Sequence, residues 1–183
     1  LANAISTATA SISGPFLVLL GDNLLMNNHS TPSDYIASNA SVELVSCYTA
    51  NNLPCVGLVS VDDDEVCNYG VVEMDGQRIT SIVEKPDKAD APSNLVLCGR
   101  YIFTEDFSDL INQYDLATYG ELQSIEIQKH WMDNAGLLGV KLDGYQWYDS
   151  GSPLPWLKAQ IDHALRRKDM NTELRNWLNK RLD

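Results

Sequence analysis

Positive charge is scarce in this sequence. Thirteen lysines and arginines stand against 25 aspartates and glutamates, a formal net charge of −12. No basic patch of useful size forms on such a chain, which disfavours direct binding to nucleic acid or to an anionic membrane. The acidity still leaves room for a phosphorylated ligand, because a divalent cation held by carboxylates reverses the local sign of a site. Long apolar runs are missing too. None approaches the roughly 18 residues of a membrane span, and no basic start followed by an apolar core marks a signal peptide. A soluble, cytoplasmic protein is the expectation. The four cysteines, at 47, 55, 67 and 98, show neither paired metal spacing nor the density of a disulfide framework. Reduced, buried thiols fit them better. There is no repeat, low-complexity tract or interdomain linker. The sequons Asn28-His29-Ser30 and Asn39-Ala40-Ser41 read as ordinary loop and helix residues. An initiator methionine is absent as well. The chain opens on "LANAISTATASI", whose Leu1, Ile5, Ala8 and Ile12 recur at helical spacing, and so is expected to begin within a domain.

What is present suffices for one domain with a substantial core, since 44% of the 183 residues are hydrophobic. The pattern predicts a helix over 2–11, a fully buried strand over 16–20 and a short helix over 33–39, entered after Pro32. "VELVSCYT" (42–49) and "VGLVSVD" (56–62) are rich in β-branched and apolar residues and predict two strands across an Asn51-Asn52-Leu53-Pro54 loop. "YGVVEM" and "RITSIVEKP" flank Asp75-Gly76, which suits a tight hairpin. After a loop at 86–93 come a strand, "NLVLCGRYIF", and a helix that Thr104 can cap, with Phe107, Leu110 and Ile111 on one face. Residues 121–132 predict another helix, "LLGVKLDG" a strand and "YQWYDSGS" a short extended segment. Two helices close the chain. Leu157, Ile161, Ala164 and Leu165 stripe the first, and Leu174, Trp177, Leu178 and Leu182 stripe the second, which is expected to pack on the domain or on another subunit.

Helices alternating with hydrophobic strands predict an α/β fold: a mixed, mostly parallel sheet with helices on both faces and an antiparallel insertion. Ligands of such sheets sit beyond the carboxyl ends of the strands. Asp22, after the apolar run "FLVLL" and Gly21, ends a strand that looks central, so it falls where that rule puts chemistry. Taken alone, Asp22-Asn23 is equally a turn. Asp149-Ser150-Gly151-Ser152 before Pro153 is equally a helix entry, and Glu84-Lys85-Pro86 an exposed ion pair closed by proline. Gly70 is either a strand bulge or a place where a ligand needs the backbone close.

Order and spacing say more. Gly21-Asp22-Asn23, Tyr69 to Val72, Val83 to Pro86, Pro92 to Tyr101, Gly120 to Gln123 and Asp149 to Gly151 follow the sequence of motifs G-D-[DN], Y-G-V-V, V-E-K-P, P-S-N-L-x-x-x-G-R-Y, G-E-[IL]-Q and D-[CST]-G. In this the chain resembles the sugar-1-phosphate nucleotidylyltransferases, and among them the UTP–glucose-1-phosphate uridylyltransferases. The likeness runs over about residues 1–168 and includes the helix "PLPWLKAQIDHALRR". It implies a Rossmann-like, GT-A-like nucleotidyltransferase domain over 1–168 and a helical tail over 169–183.

The resemblance also implies the chemistry. Such enzymes join a sugar 1-phosphate to the α-phosphate of a nucleoside triphosphate, and their catalysis rests on charge neutralisation and in-line positioning. Asp22 and Asp149 match the aspartates that hold Mg2+ there, at two strand ends that a parallel sheet can bring to one rim. Lys85 would contact the sugar phosphate and counts with them as catalytic. Glu84 would accept hydrogen bonds from sugar hydroxyls, Gly70 would let the backbone approach the ring, and Asn94 and the backbone near Cys98 would line the pocket. Glu121 is divided between that pocket and a helix start.

One motif of the family is missing. Residues 1–20 hold no G-x-G-[ST]-R loop, which in the family cradles the triphosphate with backbone N–H groups. The expectation is therefore an N-terminally truncated chain, short of about a hundred residues, with most of its UTP site absent and with apolar surface and a sheet edge exposed. Glucose 1-phosphate or a nucleotide sugar is the expected ligand, and a homo-oligomer is possible. The alternatives are a non-catalytic sugar-phosphate-binding or regulatory module and a thymidylyl or cytidylyl transferase of the same superfamily.

Overall fold

The computed structural model describes residues 1–27, 38–113 and 124–182. They divide into two compact units, Leu1–Leu19 with Ser41–Leu142, and Leu20–Ala40 with Asp143–Asp183. No helix among the described residues is long and apolar enough to cross a membrane.

The first unit carries strands β1 (Phe16–Leu19), β3 (Cys55–Ser60), β4 (Gly70–Asp75), β5 (Arg78–Glu84), β6 (Leu95–Phe103) and β7 (Leu138–Lys141) in one sheet, in the order β1-β6-β3-β7-β5-β4. Helices α1 (Ala2–Thr9), α2 (Ala40–Asn51), α3 (Phe107–Asn112) and α4 (Ser124–Asp133) accompany it. The core is drawn from the central strands and their covering helices, where Val56, Leu58, Val71, Val72, Val96, Phe103, Phe107 and Trp131 are all fully buried. Each such side chain contributes about 1.5–3 kcal/mol on leaving water. Phe103 stacks on Phe107 with centroids 5.1 Å apart and meets Trp131 at 5.1 Å. The Trp131 indole N–H reaches out of this cluster to the Asp106 carboxylate at 2.9 Å, which satisfies the one polar atom of the ring.

The α/β class and the mixed sheet are as expected, but the expected predominance of parallel pairing is not found. Among the described residues β3–β7 is the parallel pair, whereas β1–β6, β3–β6, β4–β5, β4–β6 and β5–β7 are antiparallel. A strand covered on both faces reads as a continuous apolar run whichever way its neighbours point, so the composition of β3 and β6 carries no information on direction. A second correction concerns 42–49, which lie in helix α2 rather than in a strand. Ala40 and Leu44 are buried four residues apart, with Val42 and Val45 exposed, so the period is helical despite the β-branched residues. Ser46 and Thr49 hydroxyls bond the carbonyls of Val42 and Val45. The helix ends where Asn52 turns left-handed at φ +52, its N–H donating to the Tyr48 carbonyl at 2.7 Å.

β1 is not the fully buried, central strand expected. It lies at one end of the sheet, pairing with β6, and Leu17 and Leu19 are 37% and 51% exposed while Val18 faces inward. Thr104 does not cap α3 either. Asp106 holds the cap position without a side-chain cap bond, and the Thr104 hydroxyl donates to the Asp106 carboxylate instead.

The second unit is built on a strand the sequence did not suggest, β2 (Asn23–Asn27), paired antiparallel with β8 (Tyr145–Asp149). Helix α5 (Pro153–Arg166) packs on β8, and α6 (Asn171–Leu182) packs on α5. The Tyr148 hydroxyl donates to Asp162 of α5, and Arg166 donates to the Asn27 carbonyl at 3.3 Å. α6 has no buried residue. Its Trp177 is half exposed under the Arg181 guanidinium, 4.4 Å from the ring centroid. The expected helix at 33–39, the sequon at 28–30, and the Gly120–Gln123 motif with Glu121 lie outside the described residues.

Candidate active site residues

In the second unit the turn from Leu20 to Asn23 is closed by the Asn23 N–H on the Leu20 carbonyl at 3.2 Å. Asp22 stands in that turn, between β1 and β2. It therefore does not end a strand of the large sheet, and no parallel rim brings it to Asp149. The antiparallel β2–β8 ladder does so, with Asn23 opposite Asp149. Beyond the ladder's end the Ser150 N–H donates to the Asp22 carbonyl at 2.7 Å. The Gly151 N–H donates to Asp149 Oδ1 at 3.3 Å.

The two carboxylates converge. A Cβ placed on Gly151 would stand 3.3 Å from Asp149 Oδ1 and 3.3 Å from Asp22 Oδ2. The absence of a side chain at 151 keeps that space open between two oxygens of like charge. Close by in sequence, the Ser150 hydroxyl oxygen is buried and has no partner among the described residues. Asp22 is further tethered on its other oxygen: Asn23 Nδ2 donates to Asp22 Oδ1 at 2.9 Å, and Asn23 Oδ1 accepts from the Trp147 indole N–H at 2.9 Å. No group of three or more His, Cys, Asp or Glu side chains among the described residues is placed to hold a metal ion. A pair of carboxylates is nonetheless what Mg2+ asks of a protein when phosphate oxygens and water complete its octahedron.

In the first unit the β4–β5 hairpin sets Gly70 opposite Glu84. Its two-residue loop is made by Gly76, at φ +58, and Gln77. A Cβ on Gly70 would stand 3.0 Å from Glu84 Oε2, 3.0 Å from Leu97 Cδ1 and 3.6 Å from Ile125 Cδ1. The glycine thus makes room for the Glu84 carboxylate itself. The next residue, Lys85, donates its N–H to the Tyr69 carbonyl at 2.9 Å and adopts a left-handed φ of +46. A lysine in that region, directly before proline, carries backbone strain of order 1–3 kcal/mol. Asn94 is exposed just before β6 and accepts the Val61 N–H at its carbonyl. Register brings the start of β6 beside β4, with Leu95 opposite Val72, and the Ser93 hydroxyl clamps this junction by donating to the Val72 carbonyl at 2.6 Å.

Three residues near these groups had no assigned role in the sequence. Arg100 shares a face with Cys98, because both Arg100 Cβ and Cys98 Sγ lie 3.1 Å from a Cβ on Gly57. Gly99, at φ +72, sits between them, and a register shift of β3 against β6 falls at the same level, the mark of a bulge that re-aims a side chain. Burial lowers the Arg100 pKa from its ordinary value and pushes the Cys98 thiol up to about 12. Asn23 and Trp147 are the other two. Trp147 lies two positions before Asp149 on one strand, a spacing that puts both on one face, and this is the only sequence signal that could have flagged it.

The fold is an α/β one, and comparison with known proteins gives its class: the chain belongs to the nucleotidyl transferase family, whose model matches residues 1–164. Among curated proteins it is similar to the UTP–glucose-1-phosphate uridylyltransferase of Staphylococcus epidermidis strain RP62A, 29% identical over 189 residues, covering 100% of this chain and 62% of that protein. Among solved structures it is similar to a UDP-glucose pyrophosphorylase complexed with UDP-glucose, with a TM-score of 0.77, 29% identity and coverage of 91% of this chain and 62% of that one. The UDP-glucose pyrophosphorylase from Acinetobacter baumannii shares the fold with a TM-score of 0.82 at 23% identity, over 98% of this chain and 61% of that chain. The chain thus spans about three fifths of the length of these relatives.

Proposed function

We propose that this chain supplies the sugar-phosphate-binding and cation-binding residues of a nucleotidylyltransferase that joins glucose 1-phosphate to UTP, yielding UDP-glucose and pyrophosphate. The observation that carries the proposal is the convergence of Asp22 Oδ2 and Asp149 Oδ1 on the open space at Gly151. Two carboxylate oxygens that flank one point from either side are a donor pair that a divalent cation can bridge. Asp22 and Asp149 would hold Mg2+, which when bound offsets the charge on the reacting phosphates. Lys85 would set a compact ammonium charge against the sugar phosphate. Glu84, tucked over Gly70, would accept hydrogen bonds from sugar hydroxyls, and Asn94 would contribute at the edge of that pocket. Residues 1–168 would form the nucleotidyltransferase part and 169–183 the helical tail, in a cytoplasmic protein.

The test is calorimetry with glucose 1-phosphate and UDP-glucose, with and without Mg2+. Binding that needs Mg2+ and is lost in Asp22→Ala and Asp149→Ala is the expected result; binding unchanged by both substitutions would refute the metal assignment. No stretch of the 183 residues supplies the glycine-rich G-x-G-[ST]-R loop. The expected pyrophosphate release by this chain alone, with Mg2+ and both substrates, is therefore at background. Release well above background would show that the triphosphate is held by other residues.

A further inference from the structure

We infer that Trp147 and Asn23 are positioning residues, a hydrogen-bond relay that holds the Asp22 carboxylate rotated so that Oδ2 faces Asp149. The inference rests on the assignment of Asp22 and Asp149 to a divalent cation and adds the part of the chain that orients them.

The geometry follows from the ladder. Asn23 lies opposite Asp149, and Leu25 lies opposite Trp147. Residues paired across an antiparallel ladder share a face, and so do residues two apart on one strand. Asn23, Trp147 and Asp149 therefore share one face of the ribbon, with Asn23 and Trp147 as diagonal neighbours. The Trp147 indole N–H donates to Asn23 Oδ1 at 2.9 Å, and Asn23 Nδ2 donates to Asp22 Oδ1 at 2.9 Å.

The two ends of this chain of bonds differ in kind. An indole nitrogen can only donate, and an ionised carboxylate can only accept. A primary amide between them satisfies both ends in one orientation: its oxygen toward the indole and its NH2 toward the carboxylate. Asn23 is only 7% exposed, so water cannot easily replace either partner if the amide flips. Because the NH2 group engages Oδ1, the remaining oxygen, Oδ2, is the one left facing Gly151 and Asp149 Oδ1. Removing the indole donor takes away the bond that fixes the Asn23 oxygen, and with it part of the constraint on the amide NH2 that holds Asp22 Oδ1.

Partners that orient a metal-binding carboxylate typically govern affinity by 10–100-fold. Mn2+ titration of the full chain, followed by electron paramagnetic resonance, reads this directly. Trp147→Phe keeps an aromatic ring and removes the donor; Asn23→Ala removes the relay. Each is expected to weaken Mn2+ binding by about tenfold or more. The double variant is expected to be no weaker than either single one, because both cut the same chain of bonds. Additive losses, or affinities unchanged in both single variants while Asp22→Asn abolishes binding, would overturn the relay and leave the cation assignment standing. No Mn2+ binding by the unsubstituted chain, or equal binding by Asp22→Asn, would instead remove the cation assignment and the relay with it.

A second measurement needs no relay variant to fold. In the 15N-labelled chain the Trp147 indole and Asn23 side-chain amide resonances should both shift on saturation with Mg2+, and should stay still in Asp22→Asn. Resonances unmoved in the unsubstituted chain, with Mg2+ bound, would equally overturn the proposal.

Discussion

At Lys85 a single residue is held in a conformation that suits glycine better. Its φ of +46 costs a lysine about 1 kcal/mol or more relative to glycine, and the following proline narrows the alternatives further. Lys85→Gly should therefore raise the stability of the chain, by up to about 1 kcal/mol after the greater freedom of glycine in the unfolded state is counted. The same substitution should weaken glucose 1-phosphate binding by about tenfold or more, the scale of a lost charge-assisted hydrogen bond. Lys85→Ala is the control, losing the charge without relieving the backbone. Thermal unfolding and calorimetry on the two variants check this, and equal midpoints would show that the backbone at 85 stores no strain. Asp22 teaches a different lesson at this scale. "GDN" was legible both as a turn and as a metal ligand, and it is a turn that carries a converging carboxylate. The two descriptions were never exclusive.

Among the elements, β6 follows directly on Asn94 and carries a buried thiol. Cys98, buried on β6, has its pKa pushed up from 9.0 to about 12, chiefly by burial, with Arg100 opposing. A group whose folded pKa lies above its unfolded value stabilises the fold fully below the unfolded pKa, and that contribution fades as pH rises toward the folded one. The thiol should thus cost the native state about 1.4 kcal/mol per pH unit between pH 9 and pH 12. Cys98→Ala should flatten that part of the stability profile, measured by denaturant unfolding at stepped pH; an unchanged slope would assign it elsewhere. Burial acts in the same direction on Cys55, whereas Cys67 is exposed. Alkylation of the native chain near pH 8 should accordingly label Cys67 and spare Cys55 and Cys98. Helix α2 shows why one element was misread. Its β-branched content spoke for a strand, but burial of Ala40 and Leu44 four residues apart is a tertiary preference that outweighs propensity differences of a few tenths of a kcal/mol.

For the molecule as a whole, charge and apolar exposure act against each other. The net charge of −12 keeps copies apart, while among the described residues β1 stands at the end of the sheet with Leu17 and Leu19 substantially exposed. Edges of this kind pair with other chains unless something blocks them. Salt screens the repulsion but not the apolar contact. Self-association should therefore grow with ionic strength, and Leu19→Lys should suppress it with little change in thermal midpoint, since half of that residue is already exposed. Light scattering at low and high salt checks both points. Association independent of salt, or undiminished by Leu19→Lys, would place the contact on another surface.

What the amino-acid sequence by itself determined here was mostly local and ordinal. The β4–β5 hairpin, the apolar strands β3 and β6, the helices that close the chain and the ordered motifs at 21–23, 69–72, 83–86 and 149–151 could all be recognised, because turn chemistry, hydrophobic period and motif order are properties of neighbouring residues. Tertiary structure decided the rest. Strand direction, the exposure of β1 and the helical state of 40–51 depend on which faces are covered, and covering is a long-range event. The meeting of Asp22 and Asp149 depends on pairing between residues more than a hundred positions apart. The bonds that orient Asp22 through Asn23 and Trp147 exist only once that ladder has formed.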